Sequence, residues 1–166
     1  MIVPLDVGVK GADSFIRHNF VIASSLAKPY YIGFWSTLNY YGFSEQIPRT
    51  TFVATTQIVK PLEILDSNYY FVELVKRKFF GIKRIEIDRR KINISGPDKT
   101  MVDCLDHLEH CGGIDELARA IYFSHQELKL RRMKNYAVKM NNVTVLKRLG
   151  YILDKNRLIR KLRSHF

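Results

Sequence analysis

The chain has 166 residues, of which 46% are apolar and 12% aromatic, and a formal net charge of +11. That length suits one packed core rather than two, and the aromatic content argues against disorder. No apolar run approaches the ~20 residues that span a bilayer, the start MIVPLDVGVKG lacks the basic segment and apolar stretch of a signal peptide, and two cysteines make no disulfide framework, so the expected setting is the cytoplasm.

The first expected element is a helix in ADSFIRHNFVIASSLAKP, capped by Asp13 or Ser14, with Phe15, Phe20, Ile22 and Leu26 on its apolar face and Pro29 as its stop. GFWSTLNYYGF reads as a shorter helix closed by Gly42. The period then changes. TTFVATTQIV, NYYFVELV, IKRIEID and KINIS are β-branched and aromatic runs separated by turn residues, which predicts four strands. The last two are expected to form a hairpin across Asp88, Arg89 and Arg90. Because no helix separates these strands, the expected sheet is antiparallel.

From Pro97 onward the pattern is helical, with expected helices at 97–110, 114–123, 125–140 and 143–153 and breaks at Gly112-Gly113 and Asn141-Asn142. The fold class that follows is α+β: two N-terminal helices, a small antiparallel sheet of about four strands, and a helical C-terminal half. Residues 1–128 carry 15 basic and 15 acidic side chains, whereas 129–166 carry 12 basic and one acidic, Asp154. The net charge therefore sits in the last 38 residues. It is directed at a polyanion or an acidic protein surface, or else it is a solvated basic tail.

Both cysteines and two of the five histidines fall in DCLDHLEHCGG. On one continuous helix Cys104 and Cys111 stand ~10.5 Å apart, too far for a disulfide. His107 with Cys111, or Cys104 with His107, leaves a metal short of two ligands, so no metal is expected. Met101, Cys104, Leu105, Leu108 and Cys111 instead follow helical spacing toward a core. Asp103, Asp106, His107 and His110 then form a second face of surface pairs, and no nucleophile motif supports an acid–base site.

Four stretches in order, YYIGFWSTLNYYGFSEQIPRTTFVATT, KFFG, DKTMVDCLDHLEHCGGIDELARAI and NYAVKMNNVTVLKRLGYIL, resemble the C-terminal domain of AbiEi-type antitoxins, which are also labelled transcriptional regulators. The resemblance runs from about Phe15 to Leu153. The family's Ser-x-Leu-x-x-x-Gly pattern falls on Ser36, Leu38 and Gly42, and its Lys-Thr-x-x-Asp pattern on Lys99, Thr100 and Asp103. Leu108 stands where family members often carry proline, so the helix is expected to continue further than usual.

The resemblance implies a non-enzymatic regulator in a toxin–antitoxin (abortive infection) system whose toxin is a nucleotidyltransferase. In that family a winged helix-turn-helix binds the operator, and the domain resembled here opposes the toxin. This chain is expected to be that domain alone, as an excised piece or a stand-alone copy, with residues 1–12 as a remnant of the winged module and 154–166 as a basic tail. Ser36, Thr100 and Asp103 are expected to fix a helix against the sheet by hydrogen bonds. Trp35, Tyr40 and Tyr41 are expected to serve the core rather than stack on bases.

Two rivals remain. The first is a nucleic-acid-binding module whose contacts are Lys147, Arg148, Lys155, Arg157, Arg160, Lys161 and Arg163, binding phosphates weakly and without sequence preference. In it Val145, Leu146, Leu149 and Ile152 bury the helix that carries Lys147 and Arg148. The second is a metal-dependent nuclease with Asp66, Glu86 and Asp88. It lacks a lysine after Glu86-Ile87-Asp88, and no phosphate loop or catalytic triad pattern is present.

Overall fold

A computed structural model describes residues 5–155, with side chains from Asp13 onward. Twelve elements carry the architecture: α1 (Leu5–Ala23), β1 (Tyr31–Ile32), α2 (Trp35–Tyr40), β2 (Thr50–Thr55), β3 (Leu62–Ile64), β4 (Ser67–Glu73), β5 (Ile82–Ile87), β6 (Arg90–Ser95), α3 (Pro97–Asp106), α4 (Ile114–Ser124), α5 (Leu130–Lys139) and α6 (Val143–Lys155). Helix and strand mix as expected, but the sheet differs in detail. It has six strands in the order β3-β4-β2-β1-β6-β5.

The sheet is mixed rather than antiparallel. β1 runs parallel to β6, with Ile32 opposite Ile94, and β2 runs parallel to β4, with Thr50 opposite Asn68. After β2 the chain reverses into β3 at the edge, then turns back so that β4 inserts between the two. Two strands can thus lie parallel without an intervening helix when a short third strand, here β3, makes the return between them, and the inference from connectivity fails because β3 was not foreseen. β1 and β3 escaped the sequence reading because two and three residues show no period.

The β5–β6 hairpin forms as expected but with a two-residue turn, Asp88-Arg89, since Ile87 pairs with Arg90. Both turn residues have positive φ, 49° and 64°, and Leu65-Asp66 repeats this between β3 and β4 at 50° and 64°. These are type I′ turns, whose twist matches the strands.

Alternation along the strands sorts the interior onto two faces. Tyr31, Phe52, Ala54 and Val72 join Leu38, Met101, Leu105, Leu117, Met133, Val145 and Leu149 in one core, which packs α2–α6 against the sheet. Ile32, Val53, Tyr69, Phe71, Ile92 and Ile94 join Phe20, Ala23 and Ala27 in a second, which seats α1. Coverage on both faces explains why Thr51–Thr55 of β2 are buried without alternation. Trp35 and Tyr41 pack against the first core, whereas Tyr40 is 38% exposed.

Several boundaries move for local reasons. α1 begins at Leu5 rather than near Asp13, which lies inside the helix and pairs with Arg17 at 3.0 Å instead of capping it. Residues 5–12 are therefore helical. α3 stops at Asp106, not 110, because His107 leaves helical geometry (φ −134°, ψ 71°), and residues 108–110 make a 3-10 turn. The helix expected at 125–140 is divided, with Leu128 extended and the free N–H of Lys129 donating to Asp98 Oδ1 of α3 at 2.7 Å. Among the described residues no helix is long and apolar enough to cross a membrane.

Candidate functional site

The helices that carry the two sequence patterns meet where Thr37, between Ser36 and Leu38, touches Thr100. In the first, Leu38 and Gly42 end α2 through a Schellman motif. The Phe43 N–H donates to the Leu38 carbonyl at 2.8 Å and the Gly42 N–H to that of Asn39 at 2.9 Å, with Leu38 and Phe43 packed in the same core. Gly42 supplies the left-handed residue at φ 75°. Ser36 Oγ, on the same helix, accepts the Phe52 N–H at 2.9 Å and ties α2 to β2.

In the second pattern, Thr100 Oγ1 donates to the Gly96 carbonyl at 2.9 Å and lies 2.6 Å from Ser95 Oγ and 3.1 Å from Thr37 Oγ1. Three hydroxyls from α2, β6 and α3 thus close on one another. One turn on, Lys99 Nζ donates to Asp103 Oδ1 at 2.5 Å and to the Lys78 carbonyl at 2.7 Å. Tyr31 of β1 donates its hydroxyl to Asp103 Oδ2 at 2.6 Å. Lys99 and Asp103 are 0% and 1% exposed at their side chains. Burial pushes the Asp103 carboxyl above its ordinary value, although Lys99 and Tyr31 pull it back. These residues fix α3 against the sheet, and no solvent-facing reactive group results.

The basic candidates divide. Lys147 and Lys155 are exposed, Lys155 lying 4.0 Å from Asp115. Arg148 is half-buried and donates Nη1 to the Leu105 carbonyl at 2.6 Å, capping the C-terminal end of α3. Arg157, Arg160, Lys161 and Arg163 lie outside the described residues. The structure adds exposed Arg131, Arg132, Lys134 and Lys139 on α5, of which Arg132 meets Asp98 at 3.2 Å. Val145, Leu149 and Ile152 are buried and Leu146 partly so. Asp66, Glu86 and Asp88 are exposed, on two different hairpins.

The break after Asp106 rearranges DCLDHLEHCGG. Cys104 and Cys111 are both free and fully buried, and burial first, then their mutual contact, raises the Cys104 thiol well above its usual range. They are core residues despite the lost helical register. His107 and His110, three apart in a 3-10 turn, stack with ring centroids 5.6 Å apart, as expected where i and i+3 eclipse. Glu109 Oε1 lies 3.2 Å from His107 Nδ1 and 3.6 Å from His110 Nε2. Asp106 Oδ2 faces the other nitrogen of His107 at 3.4 Å.

Burial opposes ionisation throughout this cluster, yet the partners outweigh it at three positions. The Asp106 carboxyl is held at about 2 by His107 and Lys78, and His107 is raised by Asp106 and Glu109. Glu109 is lowered, with His107 and its own backbone N–H among the causes. His110 is lowered by burial beside Phe34, Phe52 and Tyr70. Beside the cluster opens a cleft of about 340 Å³ lined by Ile58, Val59, Tyr70, Glu73, His107 and His110.

No protein-family model matches the chain, and no curated protein matches it. The signature residues were found from sequence as a pattern with a bracing role but without their partners, while the His107–Glu109–His110 convergence was missed. The break that produces it falls at His107, where neither proline nor glycine marks it in the sequence.

Proposed function

We propose that this domain is the toxin-opposing part of an AbiEi-type antitoxin and regulator, non-enzymatic and acting by protein contact on a nucleotidyltransferase toxin. The observation that carries the reading is the packing of α2, whose stretch bears Ser36, Leu38 and Gly42, on α3, which bears Lys99, Thr100 and Asp103. Thr37 of the first pattern touches Thr100 of the second, and Tyr31 in the adjoining strand holds Asp103. Patterns far apart in the chain that brace adjoining helices behave as determinants of a common fold, which is what the resemblance requires. The exposed cations of α5 and α6 supply a surface for an acidic toxin face or for competition over a polyanionic substrate, favouring fast encounter more than tight binding.

Co-expression with a nucleotidyltransferase toxin encoded beside this chain is the test. Growth is expected to recover when the chain is soluble. Arrested growth with soluble domain present, alongside rescue by an antitoxin that carries the winged module, removes the assignment.

A second reading, weak sequence-independent phosphate binding, rests on the exposed Lys134, Lys139 and Lys147. Changing all three to glutamine should flatten the dependence of log K on log salt by up to ~0.9 for each phosphate contact removed. An unchanged slope, or preference for one duplex sequence, counts against it.

A further inference from the structure

We infer that His107, Glu109 and His110 form a site for a first-row divalent transition metal of the zinc class. Their ligand atoms, one from each side chain, lie within 4.8 Å of one another. A tetrahedral ion with bonds of 2.0–2.1 Å to nitrogen and oxygen has ligands about 3.3–3.4 Å apart. The two distances from Glu109 Oε1, 3.2 Å to His107 Nδ1 and 3.6 Å to His110 Nε2, bracket that edge.

A second observation concerns the far side of His107. Its Nε2 faces Asp106 Oδ2 at 3.4 Å, and Asp106 is itself fixed by Lys78 at 2.8 Å and by Asn142 at 2.5 Å. A carboxylate behind a histidine is the usual support that sets the tautomer of a metal-binding imidazole. A neutral imidazole has one N–H for two carboxylates. An imidazolium gives one to each, and on metal binding the ion replaces the Nδ1 proton while Nε2–H stays on Asp106. Zinc chemistry fits two imidazoles and one carboxylate better than the oxygen-only demands of magnesium or calcium.

The site is built rather than accidental. The 3-10 turn eclipses the two rings, Tyr70 packs on His110 at 5.0 Å, and Asp106 is 9% exposed at its side chain. Three protein ligands leave a fourth position for water or a further ligand, and all three line the cleft beside Ile58 and Glu73. The sequence expectation of no metal rested on an unbroken helix to Cys111, and α3 ends five residues before it.

Calorimetric titration of tag-free, chelator-stripped protein with zinc chloride tests this. One equivalent is expected to bind, with excess magnesium failing to compete, and thermal unfolding should shift upward in zinc. Glu109→Gln, at a side chain 64% exposed, should keep the metal-free unfolding temperature and weaken binding at least about tenfold, and Asp106→Asn should weaken it ~10–100-fold. His110→Gln should abolish it. A cobalt-loaded sample should show tetrahedral bands without sulfur-to-cobalt charge transfer. The site is overturned by the absence of stoichiometric uptake, by uptake indifferent to Glu109→Gln and His110→Gln, or by a sulfur charge-transfer band assigning the metal to Cys104 and Cys111.

Discussion

Lys99→Met is expected to cost about 3–5 kcal/mol, the scale for removing one partner of a buried ion pair. The Lys99 ammonium is fully enclosed and touches Asp103 Oδ1, the Lys78 carbonyl and, at 3.4 Å, the Tyr31 hydroxyl, with the Phe80 ring 4.5 Å away. Methionine keeps the stem but leaves Asp103 with only the Tyr31 hydroxyl. Burial already raises that carboxyl against the pull of Lys99, so without Lys99 it rises further. A carboxyl whose folded pKa exceeds its unfolded value contributes stability below the unfolded pKa and loses it as pH rises. The deficit of Lys99→Met relative to the parent should therefore narrow as pH falls into the ordinary carboxylate range. Removing both charges, as Lys99→Met with Asp103→Leu, should recover most of the loss. Urea denaturation at several pH values measures all three. A deficit below about 1 kcal/mol, or one independent of pH, would mean that water reaches the pair and that the network is not the brace described.

What could be read from residues alone followed periodicity. α3–α6 were legible because Met101, Cys104 and Leu105, then Val145, Leu149 and Ile152, recur at helical spacing and are buried. β2, β4, β5 and β6 were legible from β-branched runs. The order and direction of the strands were not, since parallel pairing of β2 with β4 depends on β4 inserting beside β2 after β3 has formed the edge. That is a long-range choice with no local signature. The signature residues were legible as positions and even as a bracing role, but the partners Tyr31, Thr37 and Ser95 were not, because they come from elsewhere in the chain. The metal-type cluster was hidden by one assumption, that a helix lacking proline at Leu108 runs on. His107 ends α3 without proline, and the turn that follows brings Glu109 to His107 and His110, where a continuous α-helix would have turned it away from His107.

Gly81→Ala should destabilise by about 3–4 kcal/mol, although it adds a single methyl group. Gly81 lies in the KFFG stretch with φ 71°, and an added Cβ would fall 2.8 Å from Lys99 Cγ and 2.9 Å from Lys99 Cβ. A left-handed alanine costs roughly 1–2 kcal/mol, and overpacking a filled site adds roughly 1–3 kcal/mol. A flexible lysine stem ordinarily moves aside. This one does not, because its head is held by Asp103 and by the Lys78 carbonyl, while the Gly81 carbonyl accepts the Gly96 N–H at 2.9 Å and fixes the backbone above it. Gly42→Ala separates the two costs. Gly42 has a similar φ of 75° with nothing within 4 Å of an added Cβ, so it should lose only the conformational share. The steric share must also shrink when Lys99 is shortened to alanine, which removes Cγ and Cδ and leaves only Cβ, 2.9 Å from the added methyl. Gly81→Ala and Lys99→Ala together should therefore cost less than the sum of the two single changes, a coupling of the kind seen between residues in contact. Additive losses in a double-mutant cycle, or equal losses at Gly81 and Gly42, would show that the glycine serves only the turn and that the Lys99 stem is free to yield.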